Sequence, residues 1–461
     1  MLSAFDRARA SGSPSANLHT AVTAMTAATR LGDTEYAEAV FAWLSTAGHA
    51  PNEYAWTALL RARRADWRAA LEGLAAMRAA NVRVNRHAVT AVLAACCGGG
   101  PEGYAAAVPL LDSCLVDALD DDVDSHVCAA FITLFGRLRD ATGVRRVWAL
   151  AARRGCLVDS HLYCAYLSAL LRAGDARHAA KLFMSTRPPA SAHCYATGMR
   201  ALGAAGMPDT AVNAEAAFQS MLAAGVVPNA HCHAALLGCY ARVGDADGAL
   251  RALDGALRDL ESEAPPAVCT HLAMAACARC GRYLDTKRLL ARLQASGCAD
   301  VCSYSTVLMA AAVAALPEEA ERVYAAMITA GIVPNDYTFT ALIAAHGAAA
   351  RDAATSTEAA ACARRARGVR DRMRAHGVRP SVHVYNALIA ACEAARDDNA
   401  AVALYEAMLA DGVGPNTSTR RLMAIVGKRG VDSVSAAQSG LTAISALGAA
   451  LMATLISRGF L

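Results

Sequence analysis

Aromatic side chains are scarce in this 461-residue chain, at 5% of the total. That scarcity disfavours a β-rich fold, whose strands draw on aromatic and β-branched residues. It suits closely packed helices, as does alanine being the commonest residue. A dominant charge is also missing. Forty-four Lys and Arg against 40 Asp and Glu leave a formal +4, so affinity for nucleic acid must come from charge placement rather than bulk. The 16 Cys are spread along helical segments, as small buried hydrophobes in a reducing compartment are. The Cys-x-x-Cys at Cys277–Cys280 has no second pair at zinc-ligand spacing, which argues against a metal site. No secretory signal, Gly-rich phosphate loop or nucleophile elbow is present.

What the chain does have is repetition. GHAPNEYAWTALL at 48–60 returns as GVVPNAHCHAALL at 225–237, GIVPNDYTFTALI at 331–343 and GVRPSVHVYNALI at 377–389, with a frayed copy at 412–423. The prolines at 380 and 415 stand 35 residues apart, and those at 228 and 334 about three times that. A fixed period in this range marks a solenoid, in which each unit needs its neighbours to bury its apolar face.

Position 1 of a unit is the residue after the Pro-Asn pair. Unit 301–335 then carries one apolar helix with Tyr304, Val307 and Leu308, a break at Leu316-Pro317, and a second helix with Ala320, Val323, Tyr324 and Met327 stopped by Gly331. The frame fits units beginning near 18, 53, 86, 125, 160, 192, 230, 267, 301, 336 and 382. The expected fold is all-α, a right-handed superhelical α-solenoid of about eleven helix-turn-helix repeats. Residues 1–17 read as an N-terminal stub or transit-peptide remnant, 18–416 as the repeats, and 417–461 as a partial repeat followed by an apolar helix that caps the last open face. That uncharged C-terminal stretch, Ser433 to Ser457, makes a membrane anchor the less favoured alternative. GGGPEG at 98–103 reads as a flexible insertion between the helices of its unit, and RDAATSTEAA at 351–360 as a surface loop.

VYNALI at 384–389, the closing Met at 327 and 408, and the Gly-x-x-Pro-Asn endings resemble the pentatricopeptide repeat family over about 400 residues. The tetratricopeptide repeat, a peptide binder, wants a Trp-Leu-Gly-Tyr first helix that no unit has. The resemblance implies single-stranded RNA as partner, read one base per unit, with position 5 and the unit's last residue identifying the base. A terminal Asp accepts from the ring N–H of guanine or uracil, whereas Asn or Ser suits adenine or cytosine. Residue by residue, Thr57 with Asn85 resembles an adenine pair, Thr90 with Asp124 a guanine pair, and Ser305 with Asn335 adenine again. Asn386 with Asn416 suits cytosine or uracil, and Thr340 with Ser381 a purine. The centre departs from the pattern. Ala129 with Asp159, Cys164 with Ser191, Ala196 with Asn229 and His271 with Asp300 lack the usual position 5, Ala234 pairs with Pro266, and the first unit is ambiguous between Val22 and Thr23.

Position 2 carries the clearest internal pattern: His19, Tyr54, His87, His126, His161, His193, His231, Val268, Cys302, Tyr337 and His383. Seven of the 13 His share this slot. In an RNA binder it reads as a ladder of flat side chains between which bases stack, each worth about 1–3 kcal/mol; in a bland reading the rings pack between helices. Position 13 is Arg30, Arg137, Arg172, Arg242 and Arg279, either a solvated row or one that tracks phosphates.

Catalytic tails known in the family have searchable requirements. No His-x-Glu of a deaminase occurs, and the carboxylate cluster LDDDVD at 119–124 falls at a unit's end, where it reads as a solvated turn. The expectation is a non-catalytic RNA binder without cofactor, metal or small-molecule substrate. By resemblance it acts in a mitochondrion or chloroplast, in transcript stabilisation, processing or translation. The alternatives are a component of an organellar ribosome, contacting ribosomal RNA and proteins, or a peptide-binding scaffold.

Overall fold

The computed structural model describes residues 2–116, 125–153, 159–186, 188–260 and 267–437, with side chains for all but 111–116 and 428–437. Among these residues there are 24 α-helices and no strand. The fold is an all-α solenoid of helical hairpins. Two compact units divide it, Met1–Ala235 and Leu236–Leu461, and the boundary falls inside the helix Ala230–Val243.

In the first unit, after a short helix Leu2–Ala10, the first helices of the hairpins are Leu18–Leu31, Glu53–Ala62, Arg86–Gly98, Ser125–Arg137, Ser160–Arg172 and Ala192–Ala205. In the second unit they are Ala267–Arg279, Val301–Val313, Asp336–Asp352 and Val382–Ala394, followed by Thr417–Ala437. Within each unit successive first helices pack side by side, and the second helices pack against the first helices of their own hairpins.

The burial pattern explains why no hairpin stands alone. Positions 4, 7, 8 and 11 of Val301–Val313 are Tyr304, Val307, Leu308 and Ala311, all essentially inaccessible, and Ala320 and Met327 of the partner helix close over them. Tyr163, Tyr195, Phe339 and Tyr385 repeat the ring at position 4. Each large side chain so buried contributes roughly 1.5–3 kcal/mol, and successive first helices pack against one another to provide that burial.

Helix ends are built from local chemistry. Gly331 has φ +72°, and the N–H of Ile332 reaches back to the Met327 carbonyl at 3.2 Å, so the chain turns sharply out of Pro317–Thr329. Ion pairs join neighbouring hairpins: Arg63–Glu38 at 2.7 Å, Arg145–Asp175 at 3.2 Å, Lys287–Glu319 at 3.2 Å and Arg374–Asp411 at 3.0 Å.

Two expected loops are not loops. GGGPEG spans the end of Arg86–Gly98 and the start of Gly100–Val116, with Pro101 in the first turn, where its missing N–H costs nothing. RDAATSTEAA is absorbed by lengthening both helices of its hairpin, to Asp336–Asp352 and Ser356–Ala375, leaving 353–355 between them. Alanine and arginine favour the helix, and Thr355 caps it by accepting from the Glu358 N–H at 3.2 Å. The whole LDDDVD segment at 119–124, Pro266 and residues 438–461, which hold most of the proposed capping helix, lie outside the described residues. Among the described ones no helix is long and apolar enough to cross a membrane.

Candidate nucleic-acid interface

Among the described residues, the residue that ends a repeat stands at the N-cap of the next first helix. Asn52 accepts from the Ala55 N–H at 3.0 Å, Asn85 from Ala88 at 2.9 Å, Asp300 from Ser303 at 2.8 Å, Asn335 from Thr338 at 3.0 Å and Asn416 from Thr419 at 2.9 Å. Asp159 caps through His161 at 2.7 Å, Ser381 through His383 at 3.2 Å, and Asn229 through His231 and Cys232, both at 3.1 Å. Ser191 makes no side-chain cap bond. All of these but Asn52 are residues that the family resemblance assigns to base reading, and Asn, Asp or Ser ahead of an apolar helix is also the ordinary N-cap signal.

The cap has a chemical consequence. With Oδ1 committed to the helix N–H, a capping Asn keeps its Nδ2 amide, a donor, and a capping Asp keeps Oδ2, an acceptor. The Asp300 carboxyl is pushed up by burial, but the Ser303 N–H and hydroxyl outweigh this and leave it below its ordinary value. Asp159 is likewise held down, first by the Ser125 hydroxyl and then by the His161 N–H, against burial. Both therefore present ionised acceptors.

Position 5 meets the last residue of its own unit in several places. Thr57 lies 3.4 Å from Asn85 Oδ1, and the Asn386 Nδ2 donates to Asn416 Oδ1 at 3.2 Å. His271 Nε2 is 3.4 Å from Asp300 Oδ1. Ser305 reaches Asn335 through the Thr338 hydroxyl, at 2.9 Å and 3.0 Å. Thr340 and Ser381 are not joined: Thr340 bonds its own helix carbonyl at Asp336, while Ser381 donates to the Asp336 carboxylate at 2.7 Å. Thr90 bonds the His87 carbonyl at 3.1 Å, and its partner Asp124 lies outside the described residues. Ala129, Cys164 and Ala196 are buried and offer no base-facing group. In the first unit, Asn17 caps Leu18–Leu31, which makes Val22 position 5 rather than Thr23.

All eleven position-2 residues are exposed, including Tyr54 at 63% and Tyr337 at 71%. His126 and His161, on adjacent hairpins, face each other with centroids 5.6 Å apart at 45°. A base stacked between two rings needs about 6.8 Å, twice the 3.4 Å stacking rise, so one of these rings must turn aside to admit one.

Arg30, Arg137, Arg172, Arg242 and Arg279 are exposed as well. Arg137 also reaches the Cys97 carbonyl of the preceding hairpin at 3.4 Å. Three grooves gather these classes of residue. His19, Tyr54, Asn52, Val22 and Arg30 line one; Arg86, His87, Thr90 and His126 line another. In the second unit Arg242, Arg279, Asp300, Ser305, Asn335 and Tyr337 share a third. Rings, capping polar groups and guanidinium groups thus lie on one face of the first helices, as contact with bases and phosphates requires. Among the described residues no three His, Cys, Asp or Glu side chains converge as a metal site. Cys277 is buried, while the exposed Cys280 thiol donates to the Gly244 carbonyl of the neighbouring hairpin.

Comparison with known proteins agrees with this architecture. Residues 20–149 match the family model of the pentatricopeptide repeat-containing proteins, and residues 317–446 that of the pentacotripeptide-repeat region of PRORP. No curated protein sequence matches the chain. Two crystal structures of the pentatricopeptide repeat protein PPR10 with an 18-nucleotide psaJ RNA element, one of them a triple cysteine-to-serine variant, superpose with a TM-score of 0.54 at 22% identity. Each alignment covers 87% of this chain and 62% of PPR10, so the chain spans less than two thirds of that protein. The repeats are pentatricopeptide repeats, and the chain belongs to the pentatricopeptide-repeat family.

Proposed function

We propose that the chain binds single-stranded RNA along the exposed face of its first helices, one base per repeat. The observation that carries this reading is the groove of the second unit, where Tyr337, Asn335, Asp300, Ser305, Arg242 and Arg279 lie together. A flat ring, a polar group of defined donor or acceptor character and a cation are what a splayed nucleotide needs. The RNA bound in the PPR10 structures supports the same direction. Binding alone is the mechanism: an RNA segment covered by protein cannot pair with itself or be digested. In an organelle such cover stabilises a transcript, guides its processing or opens it for translation.

The buried alanines at positions 129 and 196 favour one variant of this role. A binder with a relaxed centre suits an RNA held by other contacts, as in an organellar ribosome. Fluorescence anisotropy with single-stranded RNA, the same RNA as duplex, and acidic or apolar peptides tests the reading. It requires salt-sensitive binding of the single strand, weaker binding of the duplex and none of the peptides. Peptide binding without RNA binding would replace it with a peptide scaffold.

A further inference from the structure

Three side chains, rather than two, form each well-ordered reading site, and the third belongs to the following repeat. It is the hydroxyl at position 3, the third residue of the next first helix. Ser303, Thr338 and Thr419 hold this place, and all three are fully buried. A buried hydroxyl is costly unless it is bonded, and these are bonded on both sides. The Thr338 Oγ1 accepts from the Asn335 backbone N–H at 3.3 Å, contacts the Asn335 Oδ1 at 3.0 Å and meets the Ser305 hydroxyl at 2.9 Å. The Ser303 Oγ lies 2.7 Å from Asp300 Oδ1 and 2.7 Å from His271 Nε2. The Thr419 Oγ1 lies 2.7 Å from Asn386 Oδ1 and 3.0 Å from Asn416 Oδ1. The order is the same each time: position 5, the next repeat's position 3, the last residue.

The hydrogens in this chain are constrained. Asp300 Oδ1 is a carboxylate acceptor, so the Ser303 hydroxyl donates to it, and His271 Nε2 must then donate to Ser303. Asn335 Oδ1 receives the Thr338 N–H and faces the Thr338 hydroxyl, which fixes the amide with its oxygen inward and its Nδ2 as the remaining group. A hydroxyl at position 3 therefore sets which atom of the last residue is left for a base and holds position 5 in step with it. Cys164, Cys194 and Ser191 repeat the order with thiols: the two sulfurs are 2.7 Å apart and Cys194 bonds Ser191. Elsewhere the lock is missing. Position 3 is Ala88 beside the Thr57–Asn85 pair, Leu162 beside Asp159 and Val384 beside Ser381.

We propose that the position-3 hydroxyls Ser303, Thr338 and Thr419 are positioning residues for base selection, so that repeats ending at Asp300, Asn335 and Asn416 discriminate bases more sharply than those without the hydroxyl. The inference rests on the RNA-binding reading. Its test starts from the RNA that the purified full chain selects from a random single-stranded pool, and measures affinity for that RNA and for every single-base replacement. Thr338→Val should lower discrimination at one base by roughly three- to tenfold, the net worth of one hydrogen bond. Other bases and the melting temperature should change little, and Thr338→Ser should restore the discrimination. Thr419→Val should act two bases further along. Ala88→Ser, which adds a hydroxyl without removing packing, should sharpen the base read by Thr57 and Asn85. A loss spread evenly over all bases, or unchanged discrimination in both Thr338→Val and Ala88→Ser, would make the hydroxyls helix caps only. If the unmodified chain selects no RNA at all, the RNA-binding reading itself falls.

Discussion

At Asn335 one side chain closes a helix and lines a groove, and the two tasks use different atoms. Oδ1 serves the Thr338 N–H, while the amide nitrogen remains. Replacing a capping Asp by Asn changes the remaining atom without losing the cap, since the two cap equally well. Asp300→Asn is therefore expected to leave thermal stability within about 0.5 kcal/mol while shifting one base of the selected RNA from guanine or uracil towards adenine or cytosine, as sequencing of selected pools would show. Tyr337 is a separate case. It is 71% exposed and adds nothing to the core, so Tyr337→Ala should keep the melting temperature and weaken RNA binding by about 1–3 kcal/mol, the value of one stacked base. Anisotropy titration beside a melting curve checks both. An unchanged affinity would remove Tyr337 from the interface.

Within single hairpins the argument concerns packing and charge. Tyr304 is 1% exposed at position 4, with its hydroxyl accepting from Gln294 Nε2 at 2.7 Å. Tyr304→Ala opens a cavity and should cost about 3–5 kcal/mol, as for other large aromatics. In a solenoid the loss concentrates on hairpins that touch the site, so hydrogen exchange should rise in 267–329 before elsewhere. The lengthened hairpin 336–375 shares a charged cluster with Glu321 of the preceding hairpin: Arg372 grips Glu321 with two bonds of 2.7 and 2.8 Å, and buried His346 adds a third at 2.9 Å. Burial pushes the Glu321 carboxyl up, yet Arg372 and His346 prevail and bring it down to about 2. A depressed carboxylate stabilises the fold fully above its unfolded value of 4.5, and the contribution is lost as pH falls towards about 2. Glu321→Gln should thus lower the melting temperature at pH 7 and converge with the unmodified chain as pH drops through this window. These elements differ in how visible they were in the sequence. The apolar spacing of Tyr304, Val307 and Leu308 and the stop at Gly331 disclosed the hairpin, because 3.6-residue periodicity and glycine punctuation are local signals. The position-3 lock was hidden, since Ser303, Thr338 and Thr419 read as ordinary small polar residues until neighbouring hairpins were brought together. Gly100 and the 351–360 stretch were misjudged because glycine and polar residues were weighted as loop formers where helix termini and alanine prevailed.

Across the whole molecule the two classes of contact are unevenly distributed. The rings from His19 to His231 belong to the first unit, whereas the locked sites at Asp300, Asn335 and Asn416 belong to the second. Exposed position-2 rings are thus more frequent in the first unit, with only Tyr337 and His383 of the set in the second, and hydroxyl-bonded position-5 residues are concentrated in the second. Charge adds a sequence-independent term. Arg242 and Arg279 share the groove with Tyr337, so replacing both by Ala should reduce the salt dependence of binding by about 1.4 in log–log slope, at roughly 0.7 per single-strand phosphate contact. Affinities measured between low and moderate salt would show it. An unchanged slope would mean that these guanidinium groups do not meet phosphates. The most direct test of the central claim is selection by the purified chain from a randomised single-stranded RNA pool at two salt concentrations. One base per repeat predicts an enriched motif with adenine then guanine near its 5′ side, and with adenine followed two bases later by cytosine or uracil near its 3′ side. Failure to retain RNA at either salt would contradict the account.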